Sequence, residues 1–319
     1  MMDDRSQRDS TTPGAFQGAL QGILQGIVVR GYGKSFLVRY RGRDYSCELR
    51  GSVKRAVKSV TPVAVGDDVE FRLVSDGAGV IEKVLPRRTK FFRPSKGIKG
   101  KMQVLAANID QMIIVVSVKE PELHPRLIDR FLVAAQLGDL TGVVVINKID
   151  LSGSALVDRL VSGYNRIGIP AILTSVVTKV GIKDLQKALA DKKSLFVGHS
   201  GVGKSSLINS ICPELNLQTG KVSEKTKRGR HITARVELHE LESGGFILDS
   251  PGLKVLELWE VTPKNLMKYF PEINEIAPEC RFTGCRHLSE PDCAVKDSVS
   301  DGGIPEFRYE SYVQLMETL

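Results

Sequence analysis

The chain has 319 residues, enough for two or three domains, and its 42% hydrophobic share supports buried cores. No apolar run is long enough for a membrane span, and the polar, mixed-charge opening Met1–Arg8 does not read as a secretory signal. The net charge of +8 is unevenly placed: Gly22 to Lys101 holds 18 Lys and Arg against 7 Asp and Glu, so the positive excess lies in the first third, the footprint of a nucleic-acid surface.

Residues 1–21 are polar and read as a disordered extension. The dipeptides Gln17-Gly18, Gln21-Gly22 and Gln25-Gly26 repeat every four residues, and no function attaches to them. Residues 22–90 read as all β. Short strands are expected at Ile27–Val29, Ser35–Tyr40, Tyr45–Leu49, Asp68–Leu73 and Gly79–Val84, most of them separated by glycine-bearing turns. Five short strands with strong basic charge suit an OB-type barrel that binds RNA. Tyr32, Phe36, Tyr40 and Tyr45 are available to stack on bases, although filling the barrel core is the commoner use of any single one. Arg87–Gly97 reads as a basic linker.

Residues 91–256 alternate buried strands with helices, which predicts a parallel sheet covered on both faces. Strands fall at Gln111–Val118, Thr141–Ile146, Ala171–Leu173 and Ser194–Val197, with helical spacing at Arg126–Leu137, Leu156–Ile167 and Ile182–Ala190. The second strand runs into Asn147-Lys148-Ile149-Asp150. A carboxylate there can accept two hydrogen bonds from guanine that adenine does not offer, and an unpaired buried acceptor is costly. Asn147 would hold the loop, and the Lys148 stem would cover one base face. Thr174 and Ser175 end the next strand and fit a base-supporting loop.

Gly198-His199-Ser200-Gly201-Val202-Gly203-Lys204-Ser205 follows the fourth strand and leads into a helix that begins at Ser206 and stops before Pro213. Strand, glycine loop and helix in that order are what a phosphate-binding loop requires. The backbone N–H groups and helix N-terminus face phosphate oxygens, Lys204 bridges the β- and γ-phosphates, and Ser205 holds Mg²⁺. Lys221–Arg235 reads as a switch loop with Thr233 as a second Mg²⁺ ligand. Asp249 and Gly252 follow in an Asp-x-x-Gly, one toward Mg²⁺ and one toward the γ-phosphate. Leu253 stands where Ras-like GTPases carry the glutamine that orients water. His231, two residues before Thr233, is a candidate for that task; as a lone loop histidine it is equally compatible with plain solvent exposure.

Residues 257–319 contain Cys280, Cys285, His287 and Cys293, a Cys₃His set suited to one structural Zn²⁺. Few apolar residues surround it, so metal would be needed for folding. Five cysteines, three of them in one segment, fit a reducing compartment and hence the cytoplasm. Cys47 and Cys212 read as packing residues. Arg281, Arg286 and Lys296 flank the metal set within reach of phosphate. Phe307–Leu319 reads as an amphipathic helix.

The order of motifs is base recognition, base support, phosphate loop, switch threonine, Asp-x-x-Gly. Ordinary GTPases place the first two last, so this order resembles a circularly permuted GTPase. Ala106-Ala107-Asn108-Ile109-Asp110, Asn147–Asp150, Gly198–Ser205, Gly229–Thr233, Asp249–Leu253 and the cysteine spacing together resemble the ribosome small subunit-dependent GTPase A family (RsgA/YjeQ). Ile232 departs from the family's usual threonine, and the sequence stops soon after Glu317, where many members continue with a basic extension. The resemblance implies an α/β circularly permuted P-loop GTPase with an N-terminal OB barrel and a C-terminal zinc domain. It implies hydrolysis of GTP to GDP, stimulated by the small ribosomal subunit late in its maturation, and it favours His231 as the water-positioning group. A monomer with no membrane partner is expected. The competing reading is an RNA-binding module with GTP as a slowly turned-over ligand, which Leu253 keeps open. Asp150 argues against an ATP enzyme.

Overall fold

Alternation of buried and exposed side chains builds the first unit. The computed structural model describes residues 22–51, 61–95, 102–152, 155–218, 236–249, 258 and 260–319. Strands β1 (Leu24–Tyr32), β2 (Ser35–Tyr40), β3 (Arg43–Leu49), β4 (Asp68–Ser75) and β5 (Ala78–Val84) close a barrel in the order β1-β2-β3-β5-β4. Only the β3–β5 pairing is parallel. Val28, Val38, Cys47, Val69, Phe71 and Ile81 fill the interior. The rings of Tyr40 and Tyr45 lie 6.2 and 5.8 Å from that of Phe71, and Phe36 packs against the same core. These three aromatics therefore serve the barrel core. Burial pushes the Cys47 thiol up to about 11, as befits a packing residue.

The segment that reads as a linker is partly a strand. β6 (Lys90–Pro94) pairs antiparallel with β7 (Met102–Ala107). Phe91 is buried in the core of the sheet domain, and its basic neighbours hide that apolar anchor in the sequence.

The central sheet runs β10-β9-β8-β11-β13-β12, where β8 is Gln111–Ser117, β9 Thr141–Asn147, β10 Ala171–Leu173, β11 Lys193–Val197, β12 Leu238–Glu240 and β13 Phe246–Asp249. All its pairings are parallel except β12 with β13. Alternate residues of β8 feed two cores. Ile114 and Val116 meet α1 (Pro125–Leu137) and α2 (Ala155–Arg166); Ile113 and Val115 meet α3 (Ile182–Leu189) and α4 (Lys204–Ile211). Burial on both faces is why these strands read as continuous apolar runs.

The barrel shares the first of these cores, since Val29 and Val65 are buried in it with Ile27 and Leu37 packed alongside. Asn108 sits at the joint: its amide donates to Gly66 O and Asp68 Oδ2, and its carbonyl accepts from Arg88 N. The side of the barrel also meets the sheet's edge strand. Arg30 bridges to Glu237 along the backbone and as an ion pair, and Arg39 Nη1 lies 2.9 Å from Glu240.

The C-terminal segment carries α5 (Pro271–Ile276), α6 (Ala294–Ser300) and α7 (Glu306–Thr318). α7 buries Phe307, Arg308, Ser311, Tyr312, Leu315 and Met316, a helical stripe that includes two polar residues. Arg308 donates to Asp129 of α1 at 2.8 Å and to Glu272 of α5 at 2.7 Å, and its guanidinium lies 4.3 Å from the Phe270 ring centre. The Tyr164 hydroxyl of α2 also donates to Asp129, at 2.8 Å. Burial raises the Asp129 carboxyl above its ordinary range, and Arg308 opposes that shift. The helix is amphipathic in burial but not in composition.

Candidate nucleotide site and metal centre

The parallel strands deliver the motifs to one edge. Registers pair Leu173 with Ile146, Ser117 with Asn147, Ile114 with Val197, and Phe196 with Asp249. Asn147, Thr174, Gly198 and Asp249 therefore emerge side by side at the C-terminal ends of their strands, where ligands bind in open α/β sheets.

The phosphate loop needs its glycines. Gly198 has φ +141°, and a Cβ there would sit 2.1 Å from Val115 O. Gly203 has φ +94°, and its Cβ would meet Asn147 Nδ2 at 2.4 Å. Any other residue would push the loop off the sheet. His199, Ser200 and Gly201 form the exposed outer curve, and Val202 tucks into the core. Lys204, Ser205 and Ser206 open the first turn of α4. Lys204 Nζ donates to Gly198 O at 2.7 Å and His199 O at 2.9 Å, which folds the cation back over the loop. Burial lowers its pKa, and the nearby Asp249 carboxylate partly offsets this. Lysine and carboxylate thus face one small region, with the donor set expected around a phosphate and a hard cation.

Asn147 ties the base motif to this loop. It is buried, donates to Val202 O at 2.9 Å and accepts from the Thr174 hydroxyl at 3.1 Å. Asp150 is exposed and accepts from the Ser175 hydroxyl at 2.5 Å, so the loop after β10 orients the carboxylate. Lys148 has φ +61° and donates to Glu120 O. The role of the segment after β8 is not visible in the sequence, because it acts through main-chain atoms: Ser117 Oγ donates to Pro121 O at 2.8 Å, and Val118 N to Asn147 O at 3.0 Å. His231, Thr233 and Gly252 lie outside the described residues.

Cys280, Cys285, His287 and Cys293 converge, with all ligand atoms within 4.8 Å of one another. The Sγ atoms of Cys280 and Cys285 lie 3.9 and 3.8 Å from that of Cys293. His287 Nδ1 lies 3.5 Å from Cys280 Sγ and 3.4 Å from Cys293 Sγ. Bond lengths of about 2.3 Å to sulfur and about 2.0 Å to nitrogen give tetrahedral edges of about 3.8 and about 3.5 Å. The donor set and its spacing fit zinc. Outside this knot, the Tyr309 and Tyr312 hydroxyls donate to His287 O and Arg286 O, at 2.7 and 3.2 Å.

A phosphate loop, a base motif that precedes it in the chain and an Asp-ended strand along one sheet edge define a circularly permuted P-loop GTPase. Comparison with known sequences carries this to a family. The sequence model described as RsgA GTPase matches residues 84–259, and the one described as RsgA N-terminal domain matches residues 25–81. The chain belongs to the RsgA GTPase family and is a GTP hydrolase. A protein of Caldanaerobacter subterraneus subsp. tengcongensis named small ribosomal subunit biogenesis GTPase RsgA is 40% identical over 289 residues, which is 91% of this chain and 93% of that one. A protein of the same name from Alkaliphilus metalliredigens is 38% identical over 291 residues, covering 91% and 95%. Among solved structures, YjeQ from Thermotoga maritima superposes with a TM-score of 0.77 at 36% identity, covering 92% of this chain and 98% of that one. YloQ, described as a circularly permuted GTPase, superposes with a TM-score of 0.74 at 30% identity, covering 93% and 95%.

Proposed function

We propose that the protein binds the small ribosomal subunit through its RNA and hydrolyses GTP, stimulated by the subunit, during late maturation. The observation that carries this is a guanine-type nucleotide edge joined to a barrel that holds the chain's basic excess; the names of the relatives support it. In this reading residues 1–21 are an extension, 22–90 the RNA-binding barrel, 91–256 the GTPase domain and 257–319 the zinc domain. Asp150 reads guanine, Asn147, Thr174 and Ser175 hold the loop around it, and Lys148 covers the base. Gly198 to Ser206 cradle the phosphates, with Lys204 on the β- and γ-oxygens. Ser205, Thr233 and Asp249 would hold Mg²⁺, which supplies charge neutralisation when bound. The Gly252 N–H senses the γ-phosphate. His231 positions the attacking water in place of the amide that Leu253 lacks. Cys280, Cys285, His287 and Cys293 hold one structural zinc. The protein acts as a cytoplasmic monomer.

The test is single-turnover GTP hydrolysis with and without purified small subunits, alongside co-sedimentation in GDP and in a non-hydrolysable GTP analogue. Strong stimulation with nucleotide-dependent binding is expected. Leu253 favours a second reading, an RNA-binding module that hardly turns GTP over. Binding without stimulation would select that reading, and absence of binding would overturn both.

A further inference from the structure

The cysteine knot lifts a four-residue turn, Arg281-Phe282-Thr283-Gly284, away from the fold. Cys280 and Cys285 flank it, and Cys285 N donates to Phe282 O at 3.2 Å, closing the turn. All four residues are exposed, and Gly284, at φ +79°, has open space where a side chain would stand. Phe282 keeps 45% of its surface in solvent; among the described residues from 258 onward, only the terminal Leu319 is likewise a large exposed apolar side chain. Leu288, from the same metal loop, packs into the C-terminal core, so the loop does send an apolar side chain inward elsewhere. The Arg281 guanidinium lies 5.5 Å from the Phe282 ring centre and is steered by an ion pair with Asp292. That contact adds a weak cation–π attraction to a ring that stands in solvent.

We propose that the Arg281–Phe282 turn is a stacking tip for an unpaired RNA base. An aromatic ring offered on a metal-tied turn stacks on any base face, and the adjoining guanidinium meets the neighbouring phosphate. Arg286, two residues past the turn, is likewise exposed. A protein partner fits less well, because a stable protein interface buries about 800 Å² per side around an apolar centre. Here a single apolar side chain stands in an exposed turn beside Arg281, which pairs with Asp292. The inference rests on the RNA-directed function proposed above and adds a second RNA-binding point, distant in sequence from the barrel.

The test uses the full chain and purified small subunits. Phe282→Ala should weaken subunit binding by about 5- to 150-fold, the range for loss of one base stack. Zinc content and subunit-free GTP hydrolysis should stay unchanged, and Phe282→Trp should restore binding. A p-benzoylphenylalanine placed at 282 should photo-crosslink to ribosomal RNA. Unaltered affinity in Phe282→Ala, or crosslinks to ribosomal protein alone, overturns the inference while leaving the ribosomal reading intact. If the parent protein itself binds no subunit, the ribosomal reading fails and this inference with it. Should Phe282→Ala lose its zinc, the Trp variant and the crosslink decide the question, since both keep an aromatic ring in the turn.

Discussion

Replacing Asn147 with alanine tests how the two halves of the nucleotide edge are held together. The side chain makes two hydrogen bonds in a buried setting, to Val202 O at 2.9 Å and from the Thr174 hydroxyl at 3.1 Å. Asn147→Ala strands both partners, and Val202 and Thr174 are themselves buried. Each unmade buried bond costs about 1–3 kcal/mol, so the folded state should lose roughly 2–6 kcal/mol. The tie exists before nucleotide arrives, so affinity falls only as far as the freed phosphate loop wanders. A loss of about 1–2 kcal/mol there is about 5- to 30-fold in Kd. GTP and GDP should weaken together, since the tie lies on the base side of the loop. Asn147→Asp should be worse than its size suggests, because it turns a donor facing the Val202 carbonyl into a second acceptor. Urea unfolding reports the first quantity, and titration with fluorescent GDP and GTP the second. If Asn147→Ala unfolds at the parent's denaturant concentration and binds both nucleotides equally well, the tie does not hold the loop.

Lys204→Ala should abolish hydrolysis measured by phosphate release, because the ammonium folded over the loop is removed; full activity would rule the loop out as the phosphate site. Asp150→Asn should weaken GTP binding and blur purine choice, seen as a narrowed gap between GTP and ATP in competition titrations. Metal analysis of protein purified without chelator should find one zinc per chain, and a chelator should unfold the C-terminal segment, followed by proteolysis, before it affects GDP binding. Arg308→Met leaves Asp129 and Glu272 buried without their cation and should cost about 3–5 kcal/mol in urea unfolding. The Asp129 carboxyl, raised by burial and held down by Arg308, then rises further in the folded state, which binds the proton more tightly than the unfolded chain does. The deficit should therefore shrink as pH falls toward the ordinary carboxylate range, and a pH-independent deficit would count against the stranded-charge account.

What could be read from the sequence depended on how each part is stabilised. The sheet strands bury both faces, so unbroken apolar runs announced them. The phosphate loop was legible because Gly198 and Gly203 occupy backbone positions that no side chain tolerates. β12 was not legible: three residues form a strand only because β13 pairs with one side of it and the barrel covers the other. In α7 the buried stripe runs through Arg308 and Ser311, so spacing by hydrophobicity alone blurs the face that docks. Asn108 could be matched as part of a motif, yet its work, stitching Gly66 and Asp68 of the barrel to Arg88, exists only in three dimensions.

The shared core changes how the barrel's contribution must be measured. Read from charge alone, the RNA surface and the nucleotide edge are separate modules, and removing everything before Lys101 should leave the second untouched. The structure makes them continuous. Val29 and Val65 of the barrel unit sit in the same core as Ile114, Val144 and Leu195 of the sheet. Glu237 and Glu240 meet Arg30 and Arg39 across the seam. Leu238, between those two glutamates, pairs with Leu248, and the next residue along β13 is Asp249. Truncation would uncover apolar core, strip both glutamates of these cations and loosen the strand that ends at a candidate metal ligand. A barrel-less chain that no longer hydrolyses GTP would therefore report damage to the sheet edge as readily as weakened RNA binding. Arg41, on the turn between β2 and β3, and Arg43, the first residue of β3, offer a cleaner separation, because both are exposed and lie over Tyr40 and Tyr45, and Arg43 pairs with Asp76 inside the barrel unit. Neutralising them lowers the charge available to phosphate, and removing one phosphate-neutralising cation flattens the log–log salt slope by about 0.7 to 0.9. Neutralising Arg39 instead removes the Arg39–Glu240 ion pair of the seam and leaves most of that charge in place. A salt slope that responds to the turn but not to the seam, with subunit-free hydrolysis responding in the opposite pattern, assigns RNA binding and sheet support to different residues of one barrel.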